Sequence, residues 1–221
     1  MNFEKVYNSP IYVIFEFLYR LIIINLLFVL TTILGLGVFT VMPAMVSLLI
    51  LVRSLNHETS FPIVSAFVQA FRKNYKRVFM LSIFYGIIAI VFVFNTLYFY
   101  LFLQETNSFI HQILFYIMLI LDAVVFVASV NACFVYVYFP NLSNKKIIKY
   151  SFVLLRAIPI QSVVIFGMIL GMIFVAYVMP ILIVLILVSL FAYIIQLAID
   201  KTYRRLVADG VKSLDAFDYM K

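Results

Sequence analysis

From Leu21 to Val52 the chain runs 32 residues without one charged side chain. As a single straight helix this stretch would be about 48 Å long, against an apolar bilayer core of about 30 Å. A hairpin turning near Gly35 and Gly37 resolves the mismatch and brings Arg20 and Arg53 to the same side. Composition extends the argument to the whole chain. Of its 221 residues 67% are hydrophobic, with a mean hydropathy of +1.18. Soluble domains run about 45–50% apolar. Too few polar residues remain to cover a surface in water, so lipid is the expected solvent for most of it.

The pattern predicts one all-α domain over residues 1–221, a polytopic membrane bundle of six transmembrane helices. The spans fall at about 11–34, 37–52, 78–103, 109–139, 160–178 and 181–199. Pro43 falls in the first turns of the short second span, which leaves a re-entrant segment open for it. Glu16 and Arg20 are four residues apart with the acid first, the favourable order for a helical pair. The beginning of the chain does not read as a secretory signal peptide: Glu4 stands beside Lys5 and no small-residue cleavage pattern follows the apolar run.

All 16 Lys and Arg residues then fall on one side. They lie in the amino terminus, in the 53–77 and 145–156 loops, and in the tail at 200–221. The other three loops have none. Both termini are therefore expected in the cytoplasm, beside the anionic inner leaflet. Clustering of this kind accounts for the net charge of +7 without nucleic acid. Cys133 is the only cysteine, so no intramolecular disulfide can form. His57 and His111 are isolated, and no metal or cofactor is expected.

Residues 61–77 read as an interfacial amphipathic helix. Pro62 suits its first turn, and Ile63, Val64, Phe67, Val68, Phe71 and Tyr75 make an apolar face. Arg72, Lys73, Lys76 and Arg77 follow at its carboxyl end. The helix lies on the membrane surface or docks a partner. Residues 143–157 repeat the theme more weakly, and both segments open on Phe-Pro-x-x-Ser: Phe61, Pro62 and Ser65, then Phe139, Pro140 and Ser143.

Leu34-Gly35-Leu36-Gly37, Met42-Pro43-Ala44, Arg53 and the run Phe67 to Arg77 together resemble the signature of the YesL-like family of uncharacterised bacterial membrane proteins. The match covers about residues 25–77. It implies a multi-pass protein of the bacterial cell membrane, often encoded beside carbohydrate-uptake ABC systems, with a sugar ABC permease as an implied partner. It implies no activity and no catalytic residue.

Asp122 is the one acid deep in a span, about halfway along residues 109–139. A carboxylate there costs on the order of 3 kcal/mol unless it faces the bundle, pairs or is protonated. Asn95 falls at similar depth on the preceding span, and Ser129 and Cys133 roughly share the Asp122 face. An Asp122–Asn95 contact would either seat a proton, ion or hydroxylated solute or bond two helices structurally. Gly167 and Gly171 allow close helix packing. Tyr98, Tyr100, Tyr177 and Tyr193 read as interface anchors. No nucleophile–base pair, phosphate loop or metal motif is present, so an enzyme is not expected. Three functions stay open: an accessory or interaction partner of a carbohydrate-uptake ABC system, a small secondary transporter or channel using Asp122, and a purely structural or membrane-stress protein, which no sequence feature excludes.

Overall fold

The computed structural model describes residues 10–35, 37, 39–55, 61–106, 109–157 and 159–208. His57 and the part of the tail beyond residue 208 lie outside them. Every regular element among the described residues is helical. Helix α1 spans Pro10–Leu34, and proline suits its first position because that N–H has no partner inside a helix. The Glu16–Arg20 pair forms, at 2.5 Å. The helix ends where expected. The Gly37 N–H returns to the Thr32 carbonyl at 2.8 Å, and Gly37 takes φ +65°, a conformation that costs a side-chain-bearing residue about 1 kcal/mol or more. Thr40 then lays its hydroxyl on the Thr31 and Thr32 carbonyls at 3.3 Å each, capping the orphan end of α1.

Helix α2, Val41–Leu55, starts four residues later than its expected span and keeps Pro43 in its first turn. At 15 residues it is about 22 Å long, too short to cross a bilayer core. It is also the most enclosed element: from Val46 to Ser54 every residue is buried. It packs against α1 and against three later helices: α3 (Ile63–Thr106), α4 (Phe109–Tyr138) and α7 (Val188–Ala208). A central helix meets protein on all sides, which explains its apolar character without a full crossing.

The expected interfacial helix at 61–77 and the span at 78–103 form one helix, the 44-residue α3, about 66 Å long. The reason lies in the sequence: from Ile63 to Tyr85 there is no Gly or Pro, so nothing ends the hydrogen-bond ladder at Arg77. The basic segment continues the line of the span and does not form a separate surface helix. Its buried face is Phe67, Ala70, Asn74, Val78 and Leu81, at helical spacing. Helix α4 returns beside α3, and its last turns are buried all round, from Asn131 through Tyr138.

Helix α5, Asn144–Ala157, buries Ile147 and leaves Lys145, Lys146 and Lys149 exposed. Helix α6 spans Pro159–Val178. A π-helical segment, Ile183–Leu187, then leads into α7, which runs past the expected limit at 199. The π segment bonds over one residue more than an α-helix does, and Asn25 of α1 satisfies it. Asn25 donates to the Ile183 and Val184 carbonyls at 2.8 and 2.7 Å, and accepts from the Ser189 N–H at 3.0 Å. Four helices, at Ile11–Leu34, Ile63–Gln104, Phe109–Tyr138 and Ile183–Lys201, are long and apolar enough to cross a membrane. Val41–Leu55 and Ser162–Val178 are shorter.

The hairpins differ in reach. Phe39, in the α1–α2 turn, meets Phe79 of α3 with ring centroids 6.1 Å apart. Helix α3 continues from there for roughly 40 Å more. Farther along, the outward side chains of α3 and α4, among them Ile90, Phe94, Leu101 and Ile110, are apolar and exposed.

Candidate functional site

Asp122 is half-buried on α4, and its partner is Thr96, whose hydroxyl donates to Oδ2 at 2.5 Å. The expected contact with Asn95 does not form. Asn95 is exposed and donates to the Val91 carbonyl of its own helix at 2.7 Å. Adjacent residues on a helix point about 100° apart, so Asn95 and Thr96 stand at nearly the same height and only Thr96 faces Asp122. Asp122 lines a lateral cavity of about 450 Å³ together with Ser82, Tyr85 and Ser129. The Ser82 hydroxyl is buried with no hydrogen-bond partner. Cys133 lies apart from Asp122, in a smaller apolar cavity that Ser129 also borders.

The basic segment of α3 divides into two faces. Phe67 is fully buried, Phe71 and Tyr75 are half-buried, and Arg72, Lys73 and Lys76 are exposed. Arg77 turns inward. Its guanidinium donates to the Pro140 and Leu142 carbonyls and, at 3.3 Å, to Asn144 Oδ1. The Asn144 amide returns a bond to the Arg77 carbonyl at 3.1 Å. The guanidinium also stands 5.2 Å over the Tyr136 ring. A planar fork of donors suits this tight α4–α5 connection, where carbonyls converge with no N–H to meet them. One turn earlier, Asn74 accepts from the Tyr136 hydroxyl at 2.8 Å. The segment expected to dock is thus pinned along one side and offers its cations on the other.

A second polar group surrounds Tyr138, the last residue of α4. Its hydroxyl donates to Asp200 at 2.7 Å, and Asp200 also holds Arg204 at 2.6 Å. The Tyr138 ring lies 4.7 Å from that of Tyr203. Arg53 stands over the Tyr138 ring at 4.3 Å, a cation–π contact. Arg53 is 6% exposed, Gln196 1% and Tyr203 0%. Burial, and next the neighbouring Tyr138, push the Tyr203 phenol well above its ordinary range, so it stays protonated. Sequence reasoning missed this group. Its one signal was polar or charged residues at the buried ends of apolar runs: Arg53, Gln196 and Asp200.

Gly171 meets the Phe191 ring of α7, with an added Cβ 3.6 Å from it, while nothing lies within 4 Å of one added at Gly167. The pair therefore does not make a close backbone crossing. Tyr177 is exposed, as an anchor would be, but Tyr193 packs edge-on against Phe17 inside the bundle, with centroids 4.9 Å apart. His111 stacks on Phe102. Among the described residues no group of three or more His, Cys, Asp or Glu is placed to hold a metal.

A family model described as "protein of unknown function, DUF624" matches residues 21–96. The domain covers most of α1, all of α2 and three quarters of α3, including Asn25, Arg53, Asn74, Arg77 and Thr96. The partners of these residues on α4 and α7 lie outside it. No curated protein and no solved structure matches the chain.

Proposed function

We propose that this chain is an interaction protein of the bacterial cell membrane, an accessory partner of a carbohydrate-uptake ABC system. In this reading the α1–α2 hairpin enters the membrane and returns, and both termini lie in the cytoplasm. The DUF624 match over residues 21–96 includes the stretch that resembles the YesL-like family, and it supports that kinship and the sugar-permease partner the kinship implies. The observation that carries the reading is the basic third of α3. Arg77 and Asn74 fix its inner side to the bundle, while Arg72, Lys73 and Lys76 face outward. A rigid helix continuous with a membrane span holds a docking face at a set height and angle, and little ordering entropy remains to be lost on binding. The role calls for no catalysis and no cofactor.

The test is in-cell crosslinking, mild-detergent purification and mass spectrometry of what accompanies the protein. A permease at stoichiometric yield is expected, reduced at least tenfold by Arg72→Glu with Lys76→Glu. Recovery of the chain alone under crosslinking overturns the reading.

A second reading, a small secondary transporter or channel, draws on the Asp122 cavity with its unpartnered Ser82 hydroxyl. Asn at position 122 can still accept from Thr96, so Asp122→Asn should fold normally. Under this reading it abolishes proton- or solute-driven flux in proteoliposomes. Flux that is absent, or unchanged by the substitution, removes it.

A further inference from the structure

We infer that the group around Tyr138 is a binding site for a phosphate-type oxyanion, centred on Arg53. Four donors there have no acceptor among the described residues: Arg53 Nε and Nη1, Gln196 Nε2 and the Tyr203 hydroxyl. The Gln196 amide lies beside the Tyr138 hydroxyl, and the unmet acceptors of the set are its Oε1 and the Tyr203 oxygen. The Arg53 nitrogens can only donate, and they select a ligand rich in acceptors.

Charge points the same way. The two oxygens of Asp200 are taken by Tyr138 and Arg204, and no carboxylate among the described residues meets Arg53. The nearest compensation for Arg53 is a ring face. Among the described residues this enclosed guanidinium has neither counter-ion nor acceptor, one of the costliest arrangements in a protein interior, and an arriving anion would relieve it. Tyr203 stays protonated (a donor, not a second anion) because of its burial. The donors come from two helices, α2 and α7. A tetrahedral group with three or four oxygens meets such divergent donors better than a planar carboxylate. The partly exposed edge of the cluster is the Asp200–Arg204 pair, and the ligand enters there.

The site lies at the end of the bundle where α2 and α4 finish and the apolar run of α7 gives way to Lys201 and Arg204. Both a lipid phosphodiester and a soluble phosphate reach such a level. The shared chemistry is the phosphate group, and the test separates its sources.

The full-length protein, delipidated in detergent, is titrated with inorganic phosphate, with short-chain phosphatidylglycerol, and with the diacylglycerol of the same tails. The thermal midpoint is read at constant ionic strength. A saturable rise of about 5 °C is expected. A rise with phosphate assigns a soluble ligand, whereas a rise with phosphatidylglycerol and not with diacylglycerol assigns a lipid headgroup. Because Arg53→Gln could fail to fold for packing reasons, Tyr203→Phe and Gln196→Leu provide the second arm. One removes a hydroxyl, the other an amide, and neither removes charge; each should weaken the apparent affinity about fivefold to tenfold. No saturable shift with either phosphate source, or equal shifts in both variants and the parent, overturns the proposal.

Discussion

One side chain, Arg77, ties the start of α5 and the connection before it to α3. Arg77 reaches the Pro140 and Leu142 carbonyls and Asn144 at once, and hydrogen bonds to a charged donor are worth about 1.5–3 kcal/mol each at most. Arg77→Ala should therefore lower unfolding stability by about 3 kcal/mol. Arg77→Lys should recover less than half of that, because a point ammonium cannot serve divergent carbonyls and stack on Tyr136. Thermal or denaturant unfolding in detergent measures both. Tyr203 provides a prediction in pH. Burial raises its folded-state pKa, while in the unfolded chain the phenol ionises near 10. Its contribution is thus fully present below pH 10 and declines as pH rises above it, since only the unfolded state then releases the proton. Tyr203→Phe should flatten the stability profile between pH 10 and 11.5 relative to the parent.

At the scale of elements, the α1–α2 hairpin depends on two glycines for different reasons. A Cβ on Gly35 would collide with the Thr40 side chain, whereas Gly37 has open space around it but a positive φ. Gly35→Ala should cost about 2–3 kcal/mol through forced displacement of the Thr40 cap, and Gly37→Ala about 1 kcal/mol. Differential scanning of the two variants tests the order. This turn was legible in sequence, because charge and length demanded it and glycine marked the place. Continuity of α3 was legible too, in the absence of Gly and Pro from Ile63 to Tyr85, yet the change from basic to apolar composition at Arg77 argued for a boundary. Composition reports the solvent, while the backbone ladder ends only where something breaks it. Partner choice across helices was not legible. Asp122 takes Thr96 over Asn95 because of helix azimuth, which packing sets. The Arg53–Tyr138–Asp200 group unites three segments whose separation in sequence hides their meeting. The π segment has no local mark in Ile-Val-Leu-Ile-Leu either; its determinant is Asn25, 158 residues away.

For the whole molecule, the unequal hairpins make a prediction about depth. If α3 crosses completely, Ser65 near its start and Gln104 near its end lie on opposite sides, and both are exposed. Single cysteines there, in a Cys133→Ala background, should react with impermeant maleimide from opposite faces of the membrane. A cysteine replacing Phe39, which meets α3 at Phe79, should react at least tenfold more slowly from either face than Gln104→Cys does. Equal labelling of Phe39→Cys and Gln104→Cys from one side would mean that the two hairpins reach the same level. The π segment has a different consequence, one of register. A π turn is an α-helix with one residue spliced in, and each added residue rotates what lies beyond it by about 100°. Asn25 makes that splice tolerable by feeding both displaced carbonyls and the Ser189 N–H. Excising one residue from Ile183–Leu187 would restore an ordinary helix and leave its two ends out of phase. Either the connection to α6 or the face carrying Gln196 and Tyr203, about 20 Å down the helix, would have to turn away from its partners. The inserted residue works as a spacer that keeps both ends of α7 in step.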